Sequence, residues 1–433
     1  MNKKGIFKKL LCFIIAVAVI AVSIPFTALA AAPAEVNFGV MSDLHYFARN
    51  SMGPDINKFI EVCKLDNSTS YLAQSVLECA LASFKEMADR GEIEFVLIPG
   101  DLTKNGEKAG HIELAARLRR FEQETGIPVY LINGNHDVNN GSAAKFNGTE
   151  WVDDTPCTPE EFESIYNEFG YDEALSRYEP AAGEYEGGLS YTANLGDGYR
   201  LIAIDGGRYS ADNTDNGTDE HETAGSMSPE LLAWVKAETE KAIADGRTPI
   251  GLTHFNMVPH FDCEEDLFEA FVMKEWEKCA DTLADAGMHY VFTGHVHMQD
   301  VASYVSDNGE TITDIVTSTL LSYPNQFRTV SLETEASGKI TLDYKTHDID
   351  EVMQVEINGV PQAKPFKLQS FGLNFGEGGI KSFVMNKLEF ELRYGIGKDI
   401  ENAGGLFNYL NNAIDLDAAL KEATNSELLG GIS

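Results

Sequence analysis

A chain of 433 residues, 43% of them hydrophobic, can bury a large core and has room for two or three domains. Its formal net charge of −35 speaks against duplex nucleic acid as a bound partner, because phosphate backbones are gripped by Lys and Arg, and against docking on anionic lipid. A surface this acidic that handles an anionic ligand needs local neutralisation, which bound cations supply.

Residues 1–30 carry the pattern of a signal peptide. Lys3, Lys4, Lys8 and Lys9 make a basic start, an apolar stretch runs from Leu10 to Phe26, and Ala28-Leu29-Ala30 supplies the small-x-small cleavage motif. The expectation is a secreted or cell-surface protein, with a retained N-terminal anchor as the lesser alternative. Beyond Cys12, five cysteines remain, an odd number without a C-x-x-C pair. Neither a structural zinc cluster nor a thioredoxin-like redox site is indicated.

Residues 36–41 form a short apolar strand that ends at Ser42-Asp43-Leu44-His45. A polar connection follows, with Gly53-Pro54 as a turn signal. Apolar residues at helical spacing over 71–90 predict a helix that Gly91 stops. The strand 95–99 ends at Gly100-Asp101, a helix covers about 109–124, and the strand 128–132 runs into Asn133-Gly134-Asn135-His136-Asp137. Unbroken apolar strands alternating with helices mean parallel βαβ units. Residues 139–198, rich in Glu, Gly, Asn and Tyr, read as an insertion whose aromatics support a long loop.

Residues 199–204 are another strand, and Ser228-Pro229 opens a helix with an N-cap serine and a proline at its first position. The strand 249–253 ends at His254, 264–286 is expected to be helical, and the strand 289–292 ends at Gly294-His295-Val296-His297. From 302 to 349 the pattern is mostly β, with turns at Asp307-Asn308-Gly309 and Ser337-Gly338. These elements define a domain over about 34–350. Residues 361–433 form a separate, partly helical C-terminal region that could dock on the cell envelope; its weak ending at Leu429 to Ser433 suggests a chain that continues.

Five of the ten histidines, His45, His136, His254, His295 and His297, stand at the carboxyl ends of predicted strands, with Asp43, Asp101 and Asn135 in equivalent positions. In an open α/β sheet, ligands bind in the crevice outside those ends. The pairs Asp43/His45 and His295/His297 skip one residue, so on an extended segment both members face one side. Asp101 follows a glycine that permits a sharp turn, and its two oxygens could bridge two cations. Asn135 adds a neutral carbonyl ligand. Nitrogen and oxygen donors without thiolate suit Mn, Fe, Zn or Ni and do not select among them.

Together, Asp43-x-His45, Gly100-Asp101, Gly134-Asn135-His136-Asp137, His254 and Gly294-His295-x-His297 resemble the calcineurin-like metallophosphoesterase superfamily. The resemblance spans about residues 36–333 and includes Ser322-Tyr323-Pro324 with Phe327-Arg328. It implies a four-layer αββα sandwich with two divalent metal ions. Asp43, His45, Asp101 and His297 would hold one ion, and Asp101, Asn135, His254 and His295 the other, with Asp101 bridging. His136 would hydrogen-bond the phosphate and protonate the leaving oxygen. Many members place an acid three residues after the Gly-Asp aspartate to support that histidine, whereas this chain has Lys104 there. Asp137 is then a candidate for the supporting carboxylate.

Two cations about 3.5–4 Å apart would lower the pKa of a water between them for in-line attack on a small phosphoester. Gly100 to Thr103 and Asn133 to Asp137 are similar to the cyclic-nucleotide phosphodiesterase branch, and the C-terminal region is similar to secreted bacterial members of it. A phosphodiester such as a 3′,5′-cyclic nucleotide is therefore favoured. The alternatives are a phosphomonoesterase or nucleotidase and a catalytically silent surface binding protein.

Overall fold

The computed structural model describes residues 34–349 apart from 66–67, 184–185, 210–223, 262–263 and 268, and short strand pieces between 351 and 367. Residues 1–33, with the expected signal peptide, and most of the expected C-terminal region, including everything from Leu373 to Ser433, lie outside the described residues.

In chain order the strands are β1 (Ala34–Val40), β2 (Phe95–Ile98), β3 (Val129–Leu131), β4 (Ala144–Phe146), β5 (Trp151–Asp153), β6 (Ser176–Arg177), β7 (Tyr191–Leu195), β8 (Tyr199–Ile204), β9 (Thr248–Thr253), β10 (Tyr290–Thr293), β11 (Asp300–Val305), β12 (Thr311–Val316), β13 (Gln326–Thr334) and β14 (Ile340–Asp348). One sheet has the order β14-β13-β1-β2-β3 and the other β11-β12-β10-β9-β8-β7-β6. The central strands β1-β2-β3 and β8-β9-β10-β12 pair in parallel, and antiparallel strands close the edges.

The helices are α1 (Ile56–Leu65), α2 (Ala73–Asp89), α3 (Lys108–Thr125), α4 (Pro159–Ile165), α5 (Pro229–Ala244), α6 (Glu264–Leu267) and α7 (Trp276–Ala286). Phe84 of α2 lies fully buried against Gly39 of β1; a Cβ at Gly39 would come within 2.3 Å of its ring. Emptying that ring position costs about 3–5 kcal/mol. On the other sheet, Leu231 and Val235 of α5 and Cys279 and Leu283 of α7 pack with Ile202 and Val291. The Ser228 side chain caps α5 by accepting from the Leu231 N–H, as the sequence predicts.

Between the sheets, Phe38 meets Phe292 edge-on at 5.2 Å. The Tyr199 hydroxyl donates across the layers to the Leu332 carbonyl at 2.8 Å. Helices outside two packed sheets make the four-layer αββα sandwich. No helix among the described residues is long and apolar enough to cross a membrane.

Three local expectations change. The connection after His45 contains α1, whose Phe59 and Cys63 pack with Phe47, Met52 and Phe146. Its apolar stripe spans fewer than three turns, too short to stand out by periodicity. The stretch 139–198 is not all insertion, because β7 is a buried strand of the second sheet, paired with β8. The expected helix over 264–286 is broken: α6 ends at Leu267, and α7 begins only after Glu275, which takes a left-handed φ of 53°. The break lets Val272 and Met273 bury their side chains and Met273 donate to the Asn256 carbonyl.

Candidate metal centre

Asp43 and His45 follow β1, Asp101 follows β2, Asn135 and His136 follow β3, His254 follows β9, and His295 and His297 follow β10. Both sheets thus deliver their carboxyl ends to one edge, and two groups of donors converge there. Asp43, His45, Asp101 and His297 form one, and Asp101, His254 and His295 the other, with donor atoms within 4.8 Å of one another in each. Asp101 belongs to both. Asn135 joins the second group through Oδ1, 3.0 Å from His254 Nε2.

The backbone achieves this convergence differently from the extended geometry expected. Asp43, His45, Asp101, His295 and His297 all have positive φ, between 39° and 70°. Left-handed conformations at non-glycine residues are costly and collect at functional sites. Two glycines make the close approaches possible. A Cβ at Gly134 would lie 2.2 Å from Asp101 Oδ1, and one at Gly294 would lie 2.4 Å from Asp43 Oδ2.

Hydrogen bonds orient the donors. His254 Nδ1 donates to the Pro99 carbonyl at 2.8 Å, leaving Nε2 toward Asp101 Oδ2 at 3.2 Å. His295 Nε2 donates to the Ala270 carbonyl at 3.2 Å, so its Nδ1 remains for the donor group. The Asp43 carboxylate accepts from Ser42 Oγ and from the His295 N–H, tying the first ligand loop to the last. Asp101 Oδ1 accepts from the His136 N–H at 3.0 Å. Outer partners of this kind fix ligand orientation.

The electrostatics fit cations. His45 Nε2 and His297 Nε2 lie 3.0 Å apart, with Asp43 Oδ1 3.2 Å from the latter. Burial pushes His45 and His295 down to about 3, so both are neutral donors. Burial also disfavours charge on His254, yet Asp101 and Asp43 outweigh it and push His254 up to about 9. A buried imidazole that gathers a proton between two carboxylates marks a place where positive charge is wanted, and a metal ion would take that proton's place. The residues present therefore fit a pair of divalent cations.

His136 stands beside this centre, its Nε2 4.0 Å from Asp101 Oδ2 and its side chain 28% exposed. Its Nδ1 faces Asn105 Oδ1 at 3.0 Å. Asp137, the expected supporting carboxylate, has other work. It accepts from the backbone N–H groups of Leu102, Thr103 and Gly134, and so holds the loops after β2 and β3 together. Burial, then Asp101, pushes its carboxyl up to about 7. Sequence reasoning missed Asn105 because it sits one residue beyond Lys104, where no spacing rule points. Lys104 turns instead to the Trp151 ring, 5.0 Å from its centroid.

A family model described as calcineurin-like phosphoesterase matches residues 36–299. No curated protein matches the sequence. Among solved structures, a dimetal phosphatase from Danio rerio is similar at 14% identity and a TM-score of 0.43, over 72% of this chain and 98% of that one. A sulfate thiohydrolase from Thermus thermophilus is similar at 16% and 0.38, over 72% and 56%. A purple acid phosphatase from yellow lupin is similar at 12% and 0.35, over 73% and 54%. The family model covers more than half of the chain and every ligand position described above, so the protein belongs to the calcineurin-like phosphoesterase family and is a metal-dependent phosphoric ester hydrolase.

Proposed function

We propose that the protein hydrolyses small phosphodiesters, 3′,5′-cyclic nucleotides among them, with two divalent cations. The observation that carries this reading is the shared carboxylate of Asp101, which belongs to both donor groups beside a partly exposed His136. Asp43, His45, Asp101 and His297 would hold one ion; Asp101, Asn135, His254 and His295 would hold the other. When bound, the ions neutralise phosphoryl oxygens and lower the pKa of water at neutral pH. The chain's own residues do the rest. Asp101 and Asn135 keep the two donor groups in register, and His136 delivers a proton from Nε2 to the leaving oxygen.

Mn, Fe, Zn and Ni all suit this donor set. The acidic composition supports a small substrate over a duplex nucleic acid, and the leader pattern of residues 1–30 supports a secreted or surface location. Envelope association through 361–433 belongs to the same proposal.

Bis-p-nitrophenyl phosphate, p-nitrophenyl phosphate and 3′,5′-cyclic nucleotides, assayed on protein loaded with Mn or Zn, test the reading. Preference for the diesters is expected. Preference for the monoester makes the protein a phosphomonoesterase or nucleotidase, and two bound ions without hydrolysis of any ester make it a binding protein.

A further inference from the structure

Behind the ligands lies a buried charged group that the reaction does not use. His260 lies in the loop that begins with His254, and its side chain is fully buried. Its Nδ1 is 3.1 Å from Asp300 Oδ2 and its Nε2 is 3.5 Å from Asp314 Oδ2. A carboxylate facing each nitrogen favours the protonated imidazole, and here the ring lies between Asp300 at the start of β11 and Asp314 in β12. Asp314 is itself fully buried and takes more than this contact. It accepts from the N–H groups of Met257 and Val258 and from the hydroxyl of Thr293. The same Thr293 oxygen accepts from Asn256 Nδ2 at 3.0 Å.

These bonds fasten the segments that carry two of the ligand histidines to Asp314 of β12. Met257, Val258 and His260 belong to the loop that begins with His254, and Thr293 immediately precedes Gly294 and His295. Each donor of the second metal group other than Asp101 and Asn135 thus hangs on a loop fastened to one carboxylate. Two further contacts extend the fastening toward the ligands: the His260 N–H donates to Glu264 Oε2, and the Ala270 carbonyl beyond it accepts from His295. Low dielectric makes such a network strong when satisfied and costly when one partner is lost.

We propose that Asp314, bridged by His260 to Asp300, is a clasp that sets the distance between His254 and His295 and thereby governs retention of the cation at that donor group. Asp314 and His260 are positioning residues and touch neither substrate nor metal. The inference rests on the two-cation reading above.

The test is metal release. Full-length protein and the variants D314N and H260Q are loaded with Mn or Zn, and release to a chelator is followed by metal analysis, with apo-protein thermal unfolding measured in parallel. D314N removes the charge at the centre of the clasp; H260Q leaves the Asp314 hydrogen bonds intact and serves if D314N does not fold. One of the two ions is expected to leave about 10-fold faster or more in both variants, the other at the wild-type rate. Release matching wild type, with only the apo melting temperature lowered, overturns the clasp, and so does equal acceleration of both ions. Unaltered protein that takes up no cation overturns the two-cation reading together with the clasp.

Discussion

The imidazole of His136 is held by an amide: Nδ1 lies 3.0 Å from Asn105 Oδ1. The amide's other end is committed too, since Asn105 Nδ2 donates to the Ser142 carbonyl at 3.1 Å. That second bond decides which way the amide faces, and so which His136 nitrogen carries the fixed proton. Nδ1 donates to Asn105, leaving Nε2 toward the metal centre. A carboxylate at 105 would set an oxygen against the Ser142 carbonyl, which accounts for a neutral residue here.

Two variants test this arrangement. H136A is expected to keep both cations and lose about 10²–10⁴ in kcat on esters with poor leaving groups. N105A should lose roughly 10-fold on the same esters, with KM little changed and p-nitrophenyl esters nearly unaffected, because a good leaving group needs no proton. Loss of metal from H136A with turnover per bound ion preserved would show that His136 is a ligand instead.

Gly134→Ala drives a Cβ to 2.2 Å from Asp101 Oδ1 and 2.5 Å from the Asp101 backbone nitrogen. Because Asp101 serves both donor groups, both ions should be lost together. Gly246→Ala is the control: φ is 76° but nothing lies within 4 Å, so only the left-handed backbone penalty of about 1–2 kcal/mol applies. Metal analysis of the two purified variants decides, and two retained ions in Gly134→Ala contradict the prediction.

Metal removal should destabilise the fold itself. Without cations, the buried carboxylates of Asp43 and Asp101 rely on neighbouring histidines for compensation. Ions that bind only the native state at 100 times their Kd add about 2.7 kcal/mol. A rise in melting temperature on titration with Mn or Zn, reversed by chelator, is expected; an unchanged melting curve argues against native ion binding.

Glu122 supplies a pH dependence away from the metal centre. Burial, then repulsion from Glu168, Asp172 and Glu173, pushes its carboxyl up to about 7 from an ordinary 4.5, although it accepts from the Val129 N–H. An acid with a raised pKa stabilises the folded state below its unfolded value, and that contribution disappears as pH rises through about 7. Partial exposure limits the effect to about 1 kcal/mol. E122Q should therefore raise the melting temperature at pH 8 by about 2–4 °C and change it little at pH 5. Equal shifts at the two pH values count against it.

Short-range chemistry was legible in the chain itself. Continuous apolar runs such as Phe95 to Ile98 predict buried parallel strands, and Ser228-Pro229 predicts the start of a helix, because both depend on neighbours in sequence. The same logic places Asp43, His45, Asp101, Asn135, His136, His254, His295 and His297 at strand ends, hence on one edge of a parallel sheet. What only the tertiary structure decided is how those ends meet. The left-handed turns at Asp43, His45, Asp101, His295 and His297 accompany contacts between distant segments, such as His295 N–H to Asp43 across 252 residues of sequence. The division of labour between Asn105 and Asp137, and the fastening of two histidine loops to Asp314, depend likewise on hydrogen bonds between separate loops, and no periodicity or local propensity encodes which loop a polar side chain will face.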